Sequence, residues 1–472
     1  MRKTKIVATL GPASSTLETI EKMIEAGMDV ARMNYSHGTH EQHRERISHV
    51  HAISERLDHP VACLQDLAGP KIRTGRIEGE GVELVEGKRF VLTTSEVPGD
   101  SERVSTTYER LPHDLSTGNR IVLDDGLLEL VVVEIQDQDV ITEVVTGGIL
   151  RSNKGINLPG VYLSTPALTE KDRGDALHGL EMDVDFMAMS FVQSKADIES
   201  LRHHLRENGR EDLHIIAKIE RPQAVENLSE ILEAADGVMV ARGDLGVELP
   251  PETVPAIQKR VISEANNRGR VVITATQMLE SMVEKPVPTR AESSDIANAI
   301  LDGTDALMLS AETARGKYPV EAVKTMARIA EHTETYYETS SARNHRDIPV
   351  IDGSPVARAV VLAARRAADE LDARYIAAFT ESGATVRLMS HSRPKSHILG
   401  FTPSDRVFRR LAIRWGVTPM HGEHFETTDA MLEVAMKFLK KRGLVTDGDV
   451  VVTVCGHTTL PGATNMMKVL KF

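Results

Sequence analysis

I-I-A-K-I-E at residues 215–220 and V-M-V-A-R-G-D at residues 238–244 are two short apolar runs that each end in charge. Alternate side chains of a strand share a face, so Lys218 and Glu220 project together where the first run stops. The second run passes into Arg242, Gly243 and Asp244, and Gly243 allows close approach to the backbone. Alone, Lys218 and Glu220 read better as a structural ion pair. Asp244 shifts the balance: an amine and two carboxylates from the ends of neighbouring strands can hold a divalent cation beside a charged substrate. Hard oxygen ligands with room for water suit Mg2+ or Mn2+. No His/Cys cluster points to zinc.

Working outward, similar apolar runs fall at residues 6–10, 30–34, 62–67, 185–191, 271–276 and 306–311. With the first two they make eight, mostly separated by amphipathic stretches. In residues 39–57, for example, Ile47, Val50, Ile53 and Leu57 recur at helical spacing. Eight strands, each followed by a helix, predict a (β/α)8 TIM barrel, whose chemistry sits where strands end. The polar residues fall there: Arg32, Asn34, Asp66, Lys218, Glu220, Arg242, Asp244, Thr276, Ser310 and Glu312.

One connection is too long for a βα loop. About a hundred residues separate Leu67 from the next helical pattern near Glu170, where a few are usual. Turn signals at residues 78–81, 86–87 and 124–126, flanked by β-rich runs, predict an inserted small antiparallel β domain. Its position over the catalytic face predicts a lid. Ser354-Pro355 starts a helix, and strand–helix alternation over residues 375–455 predicts a further α/β domain with a mainly parallel sheet. The expected division is residues 1–68 and 163–337 for the barrel, 69–162 for the lid and 338–472 for the C-terminal domain. Residues 339–353 are the expected connector.

Of 472 residues, 41% are hydrophobic and 26% charged, as in globular proteins. No apolar run approaches the roughly 20 residues a membrane helix needs, and residues 6–10 read as a buried strand rather than a signal core. Cys63 and Cys455 lie apart in apolar runs, predicting buried free thiols and a cytoplasmic setting. A net charge of −13 argues against nucleic-acid partners. An anionic ligand must therefore be held by local cations or metal ions. Arg32 offers a planar fork for phosphate or carboxylate, with Asn34, Ser36 and His37 beside it. Asp66, Lys71 and Arg73 stand at the mouth of the insert and Lys154 at its end. Thr276 and Ser310 supply hydroxyls. Glu292, in T-R-A-E, is assigned to a capping box before catalysis. In residues 380–385, Thr380, Ser382, Gly383 and Thr385 form a helix start suited to phosphate, although Glu381 opposes an anion.

Taken together, T-K-I-V-A-T-L-G-P-A-S, R-M-N-Y-S-H-G, G-P-K-I-R-T-G, K-G-I-N-L-P-G, A-K-I-E, M-V-A-R-G-D-L-G-V-E, A-T-Q-M-L-E-S-M, P-T-R-A-E and D-G-T-D-A-L-M-L-S-A-E-T-A-R-G-K-Y-P resemble pyruvate kinases, in order and over nearly the whole chain. The resemblance implies phosphoryl transfer from phosphoenolpyruvate to ADP, giving pyruvate and ATP. It implies Mg2+ on Glu220 and Asp244, with Lys218 neutralising the phosphoryl group in flight. Arg32, the amides near Gly243, and Thr276 orient substrate. Asn34, His37, Arg73 and Lys154 attend the nucleotide, whose own Mg2+ implies a second metal. A water chain through Thr276 or Ser310 is the implied proton route. Many members have glutamate at the position of Lys71 and threonine at that of Leu67. They resemble K+-requiring forms, with K+ at positions matching Asn34, Ser36, Asp66 and the Leu67 carbonyl. An ammonium can replace a monovalent cation, so activity without K+ is expected. A sugar monophosphate or AMP effector at Thr380, Ser382, Gly383 and Thr385, with residues 456–465 facing them, and a homotetramer are also implied. The competing expectations are a metal-dependent pyruvate-enolate aldolase or decarboxylase, and a non-catalytic phosphometabolite-binding regulator.

Overall fold

The computed structural model describes residues 1–339, 354–423, 427–456 and 464–472. Eight parallel strands close into a barrel: β1 (Lys5–Thr9), β2 (Val30–Asn34), β3 (Ala62–Asp66), β4 (Phe186–Met189), β5 (His214–Ile219), β6 (Gly237–Ala241), β7 (Val271–Ala275) and β8 (Ala306–Leu309). All eight runs expected from the sequence are strands. They form because both faces are apolar. Val7, Leu64, Phe186, Ile216, Met239, Ile273 and Met308 fill the interior. Ile6, Ala31, Cys63, Ala217 and Val240 pack outward in the cluster shared with the helices. Such double burial is what parallel strands require.

The helices start where the sequence supplies caps. Thr39 accepts the Gln42 amide ahead of the helix His40–Leu57, and Thr169 accepts that of Asp172 ahead of Glu170–Glu181. Thr289 and Glu292 form the expected capping box of Arg290–Asp302; Glu292 also accepts from the Ser281 amide and hydroxyl. Glu292 is therefore structural.

Between β3 and Glu170 lies the insert. A six-stranded, largely antiparallel sheet and a two-stranded one enclose a separate core around Phe90, Leu92, Ile121 and Leu130. Asn157, near its end, donates to Glu248 at 3.1 Å, tying the insert to the catalytic rim. The C-terminal sheet has four parallel strands, Val417–His421, His397–Thr402, Tyr375–Phe379 and Val450–Cys455, then the antiparallel Met466–Lys471. The two outermost were not expected. V-T-P-M-H contains Pro419, which an edge strand tolerates and a central one does not. The expected connector 339–353 lies almost wholly outside the described residues. Both cysteines are buried and free, and no described helix is long and apolar enough to cross a membrane.

The C-terminal domain plugs the N-terminal end of the barrel. Ala412 and Ile413 join the interior cluster. Around them Arg409 reaches Asp185 at 2.9 Å and Asp183 at 2.6 Å, and Arg393 reaches Asp305 at 2.7 Å. Burial pushes Asp185 up to about 6 even beside Arg409. Arg409→Gln should cost about 2–4 kcal/mol, because it leaves that carboxylate buried without its cation. A carboxyl with a raised pKa opposes folding only when ionised, so the loss should be larger near pH 8 than near pH 5. Thermal midpoints of the two proteins across that range check it; equal losses at both ends would contradict it.

Candidate active site

Asp66, the last residue of β3, is fully enclosed and joins two cations. Arg32 donates to its Oδ2 from Nε at 2.7 Å and Nη2 at 2.6 Å. The remaining Nη1 of Arg32 donates to Thr9 at 2.8 Å. Lys218 approaches the other oxygen at 3.4 Å and pairs with Glu220 Oε1 at 2.7 Å. Its ammonium also donates to the Ser190 hydroxyl at 2.7 Å. The second oxygen of Glu220 accepts the Phe191 amide at 2.7 Å. Burial would lower the Lys218 pKa, but Asp66 and then Glu220 outweigh it and hold the ammonium charged. Burial likewise opposes ionisation of Asp66, and Lys218 and Arg32 overcome it. Arg32, Asp66, Lys218 and Glu220, expected separately at strand ends, are therefore one connected chain of charge.

Asp244 stands in the first turn of the helix Arg242–Glu248. Burial, followed by the negative charge of Glu220, pushes it up to about 6. Two carboxylates on consecutive strand ends are thus close enough to repel. Among the described residues no three acidic, His or Cys side chains gather as a metal cage. A divalent ion held here would take its other ligands from water and substrate. The unmet demand for positive charge at Asp244 and the all-oxygen pair fit Mg2+ or Mn2+.

Beside Asp244 the chain after β7 adopts left-handed conformations at Thr276 (φ 67°) and Gln277 (φ 55°). A β-branched residue pays about 1–3 kcal/mol for this. Arg242 holds the turn, donating to the carbonyls of Ala275 at 3.3 Å and Thr276 at 2.7 Å, and it is anchored on Asp295 at 2.7 Å. Arg242 is therefore a clamp. The turn aims the Thr276 hydroxyl oxygen at the Gly243 amide, which donates to it at 2.8 Å. Ser310 is fixed through its amide, which donates to buried Glu312 at 2.7 Å.

A cavity of about 310 Å3 separates the insert from the barrel, walled by Lys71, Asp125 and Asn157 on one side and Gly243, Asp244 and Arg221 on the other. Lys154 pairs with Asp124 at 2.7 Å within the lid, and Arg73 donates to the Asn153 carbonyl at 3.0 Å. His37 is exposed at this rim; burial, then Arg73, Lys71, Arg32 and Arg315, lower its pKa. Four cations acting on one imidazole mark a rim suited to polyanions. Arg315 was not singled out in the sequence, nor were Ser190, Phe191 or Arg221. Ser190 and Phe191 sit at the end of a run read as strand. Phe191 turns there with φ 56°, and Arg221 lies over its ring at 5.2 Å.

At three of the four positions expected from the sequence for K+, the oxygens already have donors. Asn34 Oδ1 accepts the Ser36 amide at 3.1 Å, the Leu67 carbonyl accepts from Ser190 at 2.7 Å, and Asp66 holds its two cations. In the C-terminal loop the Thr380 hydroxyl accepts the Gly383 amide at 2.8 Å, and Thr385 bonds Thr464 at 2.7 Å. Most of the expected facing loop, residues 457–463, lies outside the described residues.

Two family models match the chain: pyruvate kinase, barrel domain, over residues 1–323, and pyruvate kinase, alpha/beta domain, over residues 358–470. The pyruvate kinase of Geobacillus stearothermophilus is 48% identical, across 99% of this chain and 80% of that protein. That of Bacillus licheniformis is 45% identical with the same coverage. The crystal structure of a pyruvate kinase from Cryptosporidium parvum superposes with a TM-score of 0.92 at 36% identity, covering 100% of this chain and 96% of that one.

The raised pKa of Asp244 generates a metal-linked prediction. A carboxyl that must lose its proton to bind a cation binds it less well as pH falls through about 6. Mg2+ should raise the thermal midpoint near pH 8 and progressively less toward pH 5. Asp244→Asn should flatten that dependence. A Mg2+ effect of equal size in both proteins would exclude Asp244 as a ligand.

Proposed function

The chain belongs to the pyruvate kinase family, and from that premise we propose how its own residues carry out the family's phosphotransfer. The reaction is pyruvate kinase activity: an oxygen of the ADP β-phosphate bonds to the phosphorus of phosphoenolpyruvate as the bond to the enol oxygen breaks. The released enolate takes a proton on its methylene carbon and becomes pyruvate. Little covalent work falls to a protein in such a transfer, which is governed by alignment and neutralisation of charge.

The observation that carries the assignment of roles is the buried ammonium of Lys218, kept charged by Asp66 and Glu220 and fixed by Ser190. It is a preorganised cation for a phosphoryl group in flight. Arg32, locked on Asp66, presents a second. Glu220 and Asp244 would hold the divalent cation, which when bound would supply neutralisation of negative charge on the substrate's oxygens. Gly243 and Thr276, already hydrogen-bonded to each other, exchange that bond for the substrate carboxylate. Asn34, His37, Arg73 and Lys154 serve the nucleotide; for Lys154 this requires release from Asp124. Water held by Thr276 or Ser310 delivers the proton.

Lys71 replaces K+ in this reading. It makes no hydrogen bond to Asn34, Ser36, Asp66 or Leu67, but it shares the cavity wall with Asp244 and bears electrostatically on both Asp244 and His37. The donors already on Asn34, Asp66 and the Leu67 carbonyl support the same view. Three units complete the reading: the barrel (1–68, 163–337), the lid (69–162) and an effector-binding domain (338–472). The last takes a sugar monophosphate or AMP at residues 380–385. The enzyme works in the cytoplasm as a homotetramer.

A coupled assay of pyruvate formation from phosphoenolpyruvate and ADP tests these roles. Activity should require Mg2+ and be unchanged when an isotonic sodium salt replaces KCl. Lys218→Met should retain Mg2+ binding and lose turnover by roughly 10²–10³; near-normal turnover would remove Lys218 from the mechanism. Lys71→Glu should become stimulated by KCl, and a variant indifferent to K+ would show that Lys71 is not the substitute cation.

A further inference from the structure

The loop leaving β2, residues 34–38, carries Asn34, Ser36 and His37. Its turn is closed partly from within. The Ser36 amide donates to Asn34 Oδ1 at 3.1 Å, the His37 amide to the Asn34 carbonyl at 3.2 Å, and Gly38 takes a left-handed φ of 83°. Tyr35, in the middle of the loop, is only 3% exposed, and its amide donates to the Asp66 carbonyl at 2.9 Å. The rest of the hold on this loop comes from two helices whose residues have no part in the reaction described above.

Lys171, Asp175 and His178 stand at i, i+4 and i+7 of the helix Glu170–Glu181 and so share one face. Lys171 donates to the Tyr35 carbonyl at 2.9 Å and is itself held by Asp175 at 2.5 Å. Asp175 also accepts from His40 Nε2 at 2.7 Å. His178 Nδ1 shares a hydrogen bond with the Tyr35 hydroxyl at 2.8 Å, and its ring stacks on that of His40 at 4.3 Å. From the helix His40–Leu57, the His43 ring stacks on Tyr35 with centroids 4.1 Å apart and 10° between the planes. His43 Nε2 lies 2.9 Å from the His37 carbonyl. Burial lowers His43 to about 4, so the ring is neutral at neutral pH. A carbonyl only accepts, which puts the proton of that neutral ring on Nε2. Burial, and next His40, lower His178 as well. The carbonyls of Tyr35 and His37 are thus both fixed by side chains, and the tyrosine ring between them is held on its face and at its hydroxyl. Two buried ring nitrogens, His43 Nδ1 and His178 Nε2, have no partner. Apolar rings would fill this space without that cost; a polar network fixes direction, which apolar packing does not.

We infer that Tyr35, clamped by His43, His178 and the Lys171–Asp175 pair, is a positioning residue for the nucleotide: it sets the backbone from which Asn34 and His37 reach ADP, and touches no ligand itself. This rests on the reading above that Asn34 and His37 serve the nucleotide. Arg32, which faces phosphoenolpyruvate in that reading, is held separately by Asp66 and Thr9. The clamp therefore bears on ADP and leaves phosphoenolpyruvate alone.

Steady-state kinetics of the full chain, with ADP and phosphoenolpyruvate varied separately, tests the inference. Tyr35→Phe keeps the stack on His43 and removes only the hydroxyl, leaving His178 with no partner on either nitrogen. It should raise the KM for ADP about fivefold or more, as an unmet buried polar group does, while the KM for phosphoenolpyruvate stays within about twofold. His178→Leu should do the same from the other side. His178→Asn, whose carboxamide can stand where Nδ1 does, should stay near the parent protein. The double variant Tyr35→Phe/His178→Leu should be no worse than either single one, because the two groups act as a unit. Equal rises in both KM values, or a lower thermal midpoint with neither KM moved, would reduce the network to packing and overturn the inference. His37→Ala separates this outcome from a failure of the nucleotide reading. A raised KM for ADP in His37→Ala, with none in Tyr35→Phe or His178→Leu, would remove the positioning role alone. An unmoved KM for ADP in His37→Ala would remove His37 from the nucleotide reading and the inference with it.

Discussion

Asp66 is the constraint on which the catalytic face depends. One carboxylate, sealed at the end of β3, fixes the guanidinium of Arg32 on one side and draws in the ammonium of Lys218 on the other. Neither cation is free to follow solvent. Lys218 in turn pins Glu220, whose negative charge adds to burial in raising Asp244. A buried chain of this kind is a poor source of stability, since desolvation offsets most of the attraction. What it provides is placement. Positive charge is fixed at the strand ends, and Asp244 is left in no ion pair among the described residues.

The scaffold was largely legible because parallel barrel strands bury both faces and so appear as uninterrupted apolar runs. The ion pair of Lys218 and Glu220 was legible in the alternation of one run, and Asp244, at the end of the next, is what raised it above a structural pair. The inserted β domain was visible as an impossible loop length. What escaped notice lacked those signals. Val417–His421 carries a proline permitted only by its edge position, and Phe191 and Thr276 owe their roles to backbone angles that no residue pattern announces. Arg242 resembled a site residue in sequence; its contacts with the 275–277 turn and Asp295 show it to be the clamp that shapes the site.

The two ends of the barrel solve opposite electrostatic problems. At the catalytic end acidic groups exceed their local cations around Asp244, which suits a metal ion. At the other, arginines from the C-terminal domain meet aspartates of the barrel. An overall charge of −13 conceals both arrangements. Ligand choice is decided within a few ångströms of each cluster, where low dielectric strengthens every charge.

The most direct test of the central claim is a crystal structure with Mn2+ and phosphoenolpyruvate, read through the anomalous signal of the metal. The account predicts one manganese peak bonded to carboxylate oxygens of both Glu220 and Asp244 at about 2.1–2.2 Å, with Lys218 against the phosphoryl group. Manganese bound to only one of the two carboxylates, or located elsewhere on the barrel, would contradict it.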